Sequence, residues 1–312
     1  MNWKRGIRKV RAAFFSAYEP VQWRRRGLLR DRPQTIRSIR RALQEGVPFA
    51  AAKIGATELN FLLWHMGRPV DPNHLEDLHH QAGVFPRDPE FYRRYHACFV
   101  EGLKALDLLG VWFVAGERLV YERQGMKAEC ASFIDMEGHW CGIITGRQEH
   151  WSDGLRGKRV MVISCFAPVL AQRADETSWN KYWAGRLPWP GWKEIIPVPF
   201  SYGFEPAARE KFRDSLELLE FFKQEHAATL AASDAVLVGC GAYSVPLVHW
   251  AKSGGKPAIH LGGSLQILFG LRGRRWEEFG GVWKDLYNEH WIRPPPETIP
   301  STVQRVERSA YW

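Results

Sequence analysis

The chain alternates between short apolar segments rich in β-branched residues and longer segments whose apolar residues recur every three or four positions. The first pattern is typical of buried strands and the second of amphipathic helices. Because the two alternate, the sequence predicts an α/β fold with a Rossmann-like, mostly parallel sheet flanked by helices. The predicted strands are Val47–Lys53, Leu109–Val114, Arg159–Ser164, Glu194–Val198, Ala235–Val238 and Pro257–Leu261.

Caps and spacing mark the helices between these strands. Residues 121–156 show no clear periodicity, and we expect irregular structure with helical pieces there. The predicted helices are one capped by Thr35 and ending at Gly46, one from Glu58 through His65, one begun by Asp88-Pro89, one long helix from Pro206, and one over Ser244–Ser253 with Ser244 as its cap.

The domain organisation follows from where this alternation holds. Residues 33–290 are predicted to form a single α/β domain, and residues 291–312 a tail packed on its surface. Residues 1–32 form a basic extension with apolar residues on one helical face and Lys and Arg on the other. Two interpretations of this extension stay open: a helix lying on an anionic membrane surface, or a basic helix packed against its own domain.

Composition narrows the class of partner without choosing one. The 312 residues carry a formal net charge of +9, which favours nucleotide diphosphates, nucleic acid or anionic lipid. No apolar run reaches the ~18 residues that span a bilayer, and no segment has the pattern of a signal peptide. The five cysteines are irregularly spaced, which predicts neither a disulfide framework nor a zinc site. We expect a cytoplasmic protein, with peripheral contact at the inner membrane face left to residues 1–32.

The segment 236–244 carries the clearest chemical signal. A predicted strand runs into a turn of small residues and then into a helix, and such turns let a backbone approach phosphate at a helix N-terminus. The turn resembles half of a dinucleotide fingerprint, since its third glycine is missing. The candidate binding residues in this turn are Gly239, Gly241, Ala242, Tyr243 and Ser244.

The next strand argues against a dinucleotide. Enzymes that bind NAD usually carry an acid at its end, ~20 residues after the glycines, to hold the ribose hydroxyls. Here His260 stands at that end, followed by Gly262, Gly263 and Ser264, and no acid is present. We therefore expect no NAD, and a second small-residue turn suited to a diphosphate.

Arginines follow this second turn at once. Arg274 and Arg275 stand beside Trp276, and a guanidinium recognises phosphate with a fixed fork of donors. A basic surface loop would give the same pattern. Their closeness to two glycine turns favours the functional interpretation.

The end of the first predicted strand places a cation, a glycine and a carboxylate in one turn. The segment Lys53–Glu58 reads K-I-G-A-T-E, which makes Lys53, Gly55 and Thr57 candidate donor-binding residues. Glu58 could bind a metal, orient a sugar hydroxyl or act as a base. An acid in the first turn also simply stabilises the helix dipole, and the residues alone leave both interpretations open.

Other chemistries find no support in the sequence. Metalloprotease, P-loop and G-x-S-x-G patterns are absent, and no RNA- or DNA-binding motif appears, so nucleic acid is not an expected partner. The tryptophans near Pro188 and Pro190 could stack on sugar rings. Ordinary packing explains them equally well.

The order of these motifs resembles the GT-D-type glycosyltransferases of bacterial surface-glycan gene clusters. That family has an R-x-G-D-G-E-like turn where this chain has Lys53–Glu58, and a G-K-x-V strand that matches Gly157–Val160. Its late glycine turn matches Leu237–Ser244, and its D-I-G-H-like strand end matches His260–Gly263. Further similarity runs through 258–276 and from Tyr287 to the final Trp312.

The resemblance implies transfer of a sugar from a nucleotide-diphosphate sugar, typically a UDP-sugar, to a glycan or lipid-linked glycan acceptor. It also implies a pocket formed by the early and late turns together. In that family an Asp-x-Glu pair is associated with Mn²⁺ or Mg²⁺ and donor binding, and here Ala56 replaces the Asp. Metal binding through Glu58 therefore stays open. If the chain is an enzyme, Glu58 and His260 are the candidate catalytic residues. The alternative is a non-catalytic nucleotide- or glycan-binding protein of a polysaccharide assembly.

Overall fold

Seven strands form one sheet in which every neighbouring pair is parallel. The computed structural model describes residues 19–69, 71, 73–138, 150–200, 206–279, 286–299 and 309–312. The strands are β1 Phe49–Lys53, β2 Leu108–Val111, β3 Glu129–Ser132, β4 Arg159–Ser164, β5 Glu194–Pro199, β6 Ala235–Gly239 and β7 Pro257–His260. Their order across the sheet is β3-β2-β1-β7-β6-β4-β5. The predicted Rossmann-like α/β fold is confirmed, and its sheet is wholly parallel.

Helices cover both faces of this sheet. The helices are α1 Arg32–Glu45, α2 Ala56–His65, α3 Asn73–His80, α4 Pro89–Lys104, α5 Glu117–Arg123, α6 Phe133–Glu137, α7 Ala167–Gln172, α8 Glu176–Trp183, α9 Pro206–Lys211, α10 Ser215–Glu225, α11 Ala227–Ala232, α12 Ser244–Ser253, α13 Ser264–Leu268 and α14 Arg274–Phe279. None of the helices in the described ranges is long and apolar enough to cross a membrane.

Several strand ends differ from the prediction by one to three residues, and one whole strand was missed. Val47 and Val114 lie outside β1 and β2, and both are exposed. Strand β3 was missed because its sequence, Glu-Cys-Ala-Ser, lacks the β-branched residues that mark a strand. Its pairing with β2, rather than its own propensity, makes it a strand.

The helix predicted from Glu58 begins two residues earlier, at Ala56. Helix caps account for two further differences. Asp31, not Thr35, caps α1: its side chain accepts from the amide of Gln34, whose side chain accepts from the Asp31 amide in return. The long helix predicted from Pro206 is two helices, because the carboxylate of Asp214 caps a new start at α10. The prediction that Asp88 caps α4 is confirmed, with a 2.6 Å hydrogen bond from the Phe91 amide.

Two hydrophobic cores sandwich the sheet. Along β1, Ala50 and Ala52 face one core and Ala51 the other, as alternation along a strand requires. Helices α2, α4 and α12 contribute to the first core, whereas α1, α7, α8 and α13 contribute to the second. The strands in the middle of the sheet are short and fully buried, so a ligand can approach them at their ends.

Part of the predicted N-terminal extension packs on this domain. Residues 1–18, which carry most of the predicted amphipathic face, lie outside the described residues. Residues 19–25 are helical, and Trp23 is fully buried against Tyr121, with ring centroids 5.3 Å apart. The amide of Arg30 donates a 2.7 Å hydrogen bond to the carbonyl of Cys130 in β3. The described portion therefore continues the α/β domain.

Candidate functional site

The carboxyl ends of β1 and β7 lie side by side at the centre of the sheet. After β1 the chain passes into α2, whose Leu59 and Leu62 lie in the first core. After β7 it passes into α13, whose Leu265 and Ile267 lie in the second core. In open parallel sheets, a crevice forms where neighbouring connections leave to opposite faces, and ligands bind in it. The fold thus places the candidate site between the turns that follow β1 and β7.

A buried ionic network stands in this crevice. Lys53, the last residue of β1, pairs through its Nζ with Oε1 of Glu137 at the end of α6. The other carboxylate oxygen of Glu137 accepts a 2.6 Å hydrogen bond from Oγ of Ser264, the first residue of α13. The exposed fractions are 8% for Lys53, 3% for Ser264 and 0% for Glu137. Buried charges are tolerated when they are paired and hydrogen-bonded, and this pair ties three elements together at the carboxyl edge.

The sequence predicted two members of this network and missed the third. Lys53 and Ser264 stand in turns that follow predicted strands, which is where ligand-binding residues were sought. Glu137 lies in the stretch 121–156, where no periodicity indicated an element. Its acidic side chain, in a segment that reads F-I-D-M-E over 133–137, was the only local signal.

An aromatic pair covers Lys53 on the side of β2. The Nζ of Lys53 lies 5.1 Å from the ring centroid of Trp112, within the range of a cation–π contact. Trp112 stacks on Phe133, with centroids 3.7 Å apart and planes 18° apart. Neither residue stands out in the sequence, because their contact depends on the pairing of β2 with β3, and β3 carries no strand pattern.

Glu117 anchors the loop that carries Trp112. Its two carboxylate oxygens accept hydrogen bonds of 3.0 to 3.1 Å from the amides of Trp112 and Phe113. Phe113 adopts a φ of 60°, which few residues other than glycine take up. Burial raises the pKa of Glu117 to about 7, although these backbone hydrogen bonds oppose the shift. A fully buried acid therefore holds a strained loop beside the site.

Glu58 lies in the first turn of α2 and is buried, whereas Ala56 is exposed. The Glu58 carboxylate folds back over Gly55, the N-cap residue, so closely that a side chain at position 55 would collide with it. Burial raises the pKa of Glu58, while a hydrogen bond to its own backbone and the charge of Lys53 lower it. Thr57 is half-buried beside it. The early turn thus presents one desolvated carboxylate close to the ammonium of Lys53.

His260 ends β7 next to the same ammonium. Burial, reinforced by the charge of Lys53, lowers the pKa of His260 to about 3, against a hydrogen bond with the Lys53 backbone. The imidazole is therefore neutral at physiological pH and a weak base. Within the described residues its Nδ1 atom is buried without a hydrogen-bond partner. A ligand hydroxyl would satisfy that nitrogen, whereas proton abstraction would not suit it.

The glycines of the two late turns pack against one another and against their neighbours. A Cβ atom at Gly239 would lie 2.9 Å from the carbonyl oxygen of Gly262. Gly262 has a φ of 58°, and a Cβ there would lie 3.3 Å from Cε of Lys53. These glycines allow the ends of β6, β7 and β1 to lie in close contact. Packing between the strand ends therefore accounts for glycines that were predicted from the sequence to bind a ligand.

The turn after β6 points its larger side chains inward. The Tyr243 hydroxyl donates a 2.6 Å hydrogen bond to the carbonyl of Gly83, and the Ala242 carbonyl accepts one from Tyr95. Ser244 is not the cap that the sequence predicted: its hydroxyl accepts a hydrogen bond from the amide of Cys240. These three side chains are fully buried, and Gly241 is exposed. The exposed part of this turn is the backbone near Gly241.

The two arginines after β7 have different surroundings. Arg274 is half-exposed and pairs with Glu278 one helical turn later, at 3.0 Å. Arg275 lies over the ring of Tyr311 and donates a 3.1 Å hydrogen bond to its hydroxyl. The second arginine is thus built into a contact with the C-terminal segment, which the sequence did not predict.

Ala56 offers no metal ligand at the position where the resembling family has an acid. No three His, Cys, Asp or Glu side chains come together in these ranges in a way that could hold a metal ion. The carboxylate of Glu137 is bonded to Lys53 and Ser264. Mn²⁺ or Mg²⁺ dependence stays a prediction.

No family model, no curated protein and no solved structure matches this chain. The resemblance to GT-D-type glycosyltransferases therefore rests on the motifs described above.

The tryptophans near Pro188 belong mainly to the second core. Trp179 and Trp183 are buried, and their Nε1 atoms donate to the carbonyls of Leu187 and Leu268. Trp179 and Trp192 pack edge to face at 5.3 Å. These contacts favour the packing interpretation over sugar stacking.

Proposed function

We propose that this chain is a glycosyltransferase that transfers a sugar from a nucleotide-diphosphate sugar, first of all a UDP-sugar, to a glycan or lipid-linked glycan acceptor in surface-polysaccharide biosynthesis. The observation that carries the proposal is the buried Lys53–Glu137–Ser264 network beside Glu58, in the crevice between β1 and β7. Buried titratable clusters at such a crevice are typical of functional sites.

Two cations would face the diphosphate. Lys53 can donate three hydrogen bonds, and one of them goes to Glu137. Arg275 adds a second cation beside the turn that follows β7. Negative charge grows on the nucleoside diphosphate as the sugar leaves, and preorganised donors stabilise such charge.

Glu58 would act on the sugar side of the site. Burial raises the pKa of this carboxylate toward neutral pH. Such a pKa suits a base that accepts the proton of the acceptor hydroxyl. The same carboxylate can orient a donor sugar hydroxyl. His260, being neutral, would contribute a hydrogen bond rather than the base.

A calorimetric binding screen tests the first half of this proposal. UDP-, GDP- and dTDP-sugars are titrated into the wild-type protein and into Arg275→Gln, with Arg123→Gln as a surface control distant in sequence from the candidate turns. We expect one nucleotide series to bind the wild type and the control alike, and Arg275→Gln more weakly. Absence of binding by every series would overturn the proposal.

The runner-up function is a non-catalytic nucleotide- or glycan-binding protein. Ala56, exposed where the related family has an acid, is the observation that favours it. Tight donor binding without hydrolysis or transfer, with and without Mn²⁺, would support this function instead.

A further inference from the structure

The segment Ser309–Trp312 lies against the turn that follows β7. The amide of Arg275 donates a 2.9 Å hydrogen bond to the carbonyl of Ala310, and Nε2 of Gln266 donates one of 3.2 Å to the carbonyl of Tyr311. Gln266 belongs to α13, which begins at the candidate site, and Arg275 belongs to α14, the next helix along the chain. These hydrogen bonds hold the backbone of the segment in place and so give its side chains a defined position.

Two glycines make room for this segment. A Cβ at Gly263 would lie 2.6 Å from Cε1 of Tyr311, and a Cβ at Gly273 would lie 2.9 Å from the carbonyl oxygen of Ala310. Real Cβ atoms do not approach other atoms so closely. Gly263 therefore admits the ring of Tyr311 onto the turn.

Tyr311 and Lys53 flank neighbouring residues of one turn. The Lys53 ammonium lies against Gly262, where a Cβ would be 3.5 Å from Nζ, and the Tyr311 ring lies against Gly263. Glu58 is close enough to both for their charges to interact. Burial raises the pKa of Glu58 and the charge of Lys53 lowers it. Burial also raises the pKa of Tyr311, Arg275 lowers it, and the charge of Glu58 raises it. Tyr311 therefore belongs to the same cluster as Lys53 and Glu58.

The Tyr311 hydroxyl is neutral and hydrogen-bonded to Arg275. It accepts a 3.1 Å hydrogen bond from Nη1 of Arg275, whose guanidinium carbon lies 5.0 Å from the ring centroid. Burial raises the pKa of Tyr311, Arg275 lowers it, and the negative charge of Glu58 raises it further. The phenol thus keeps its proton at neutral pH and is oriented by a cation.

We propose that Tyr311 contacts the substrate, its hydroxyl donating to a phosphate oxygen of the donor diphosphate while Arg275 orients it and adds charge. A guanidinium beside a hydroxyl donor offers both the charge and the directed hydrogen bond that phosphate oxygens accept. This inference rests on the proposed function, since it places the diphosphate of that function between Lys53 and Tyr311.

The test measures nucleoside diphosphate affinity by calorimetry in Tyr311→Phe, which keeps the ring and removes the hydroxyl. The matched control is Tyr121→Phe, which also removes a buried hydroxyl, one that donates 2.7 Å to the carbonyl of Ala128. UDP, GDP and dTDP are the probes, together with the corresponding nucleosides. We expect roughly tenfold weaker binding of the preferred diphosphate in Tyr311→Phe, with no change in nucleoside binding and no change in the control.

The outcomes separate the two ideas. If the wild type binds no nucleoside diphosphate, the proposed function and this inference both fall. If the wild type binds and Tyr311→Phe binds equally well, this inference alone falls. If Tyr311→Phe fails to fold, the variant to measure is Arg275→Lys, which keeps the charge but loses the planar fork. Unchanged diphosphate affinity in Arg275→Lys would overturn the inference. Weaker diphosphate affinity with unchanged nucleoside binding would support it.

Discussion

The Oγ atom of Ser264 donates a 2.6 Å hydrogen bond to Oε2 of Glu137, a fully buried carboxylate whose other oxygen pairs with Lys53. Three elements that are far apart in sequence are thereby joined at the carboxyl edge of the sheet. Removing one charge of a buried pair leaves the other uncompensated, which is more costly than replacing both.

Glu137→Gln should therefore lower the free energy of unfolding by about 3 kcal/mol. The carboxamide keeps an oxygen for Ser264 but leaves the Lys53 ammonium without its counter-charge. Urea unfolding measures the difference. The control is Glu45→Gln, which breaks an exposed pair with Arg41 and should change stability by less than about 1 kcal/mol. Equal effects of the two substitutions would contradict the importance of the buried pair.

Gly263→Ala tests whether the ring of Tyr311 fills the space above the turn. The φ of Gly263 is −62°, so alanine causes no backbone strain there. Most of the cost comes from its Cβ meeting Cε1 of Tyr311 at 2.6 Å, with a weaker contact to the Trp276 ring at 3.2 Å. We expect a loss of about 1 to 3 kcal/mol, as for other overpacked sites. In a Tyr311→Ala background the same substitution should cost less than half as much. A cost that is independent of Tyr311 would place the clash elsewhere.

Glu117 should make stability depend on pH near neutrality. Its pKa is about 7 in the folded protein and 4.5 without the fold, so the folded state binds more protons between these values. The free energy of unfolding therefore falls as pH rises from about 4.5 to about 7, by about 3 kcal/mol from this residue alone.

Thermal or urea unfolding across this pH range checks that slope. Glu117→Gln cannot ionise, and its stability should vary less with pH than that of the wild type. Glu90→Gln, which alters an exposed acid paired with Arg93, serves as the control and should keep the wild-type slope. The same slope in Glu117→Gln would show that another group titrates.

Six of the seven described strands, and the position of the candidate site, follow from local sequence. Apolar runs such as Arg159–Ser164 are buried on both faces of the sheet, and burial on both faces is what such a run indicates. Lys53 and His260 meet because the carboxyl ends of neighbouring parallel strands lie together. That much requires only the pattern of strands and the general topology of parallel sheets.

The rest depends on contacts between distant segments. Glu137 is 84 residues from Lys53, and its partner is fixed by the placement of α6, which no periodic pattern marked. Tyr311 reaches the site from the end of the chain. A glycine such as Gly263 reports only that something approaches closely, so sequence cannot distinguish a phosphate from the ring of Tyr311.

The rate of sugar transfer should depend on pH through Glu58 and not through His260. Burial raises the pKa of Glu58, so the rate should rise with pH through a value above the ordinary pKa of a glutamate. His260 has a pKa of about 3 and stays neutral across that range. His260→Asn should leave the acidic limb of the kcat/KM profile where it is, and a shift of that limb would assign it to the imidazole.

Turnover of a nucleotide sugar tests the central claim most directly. The measurement is release of nucleoside diphosphate from the donor that binds best, with a glycan acceptor, by the wild type, Glu58→Gln and Glu220→Gln. Glu220 is an exposed acid paired with Lys223 and lies outside the site. The account predicts turnover by the wild type and by Glu220→Gln, and a loss of at least about a hundredfold in Glu58→Gln with donor affinity retained. Full turnover by Glu58→Gln would contradict the role of Glu58. If the wild type turns over none of the donors that it binds, that result would contradict the claim that the chain is a glycosyltransferase.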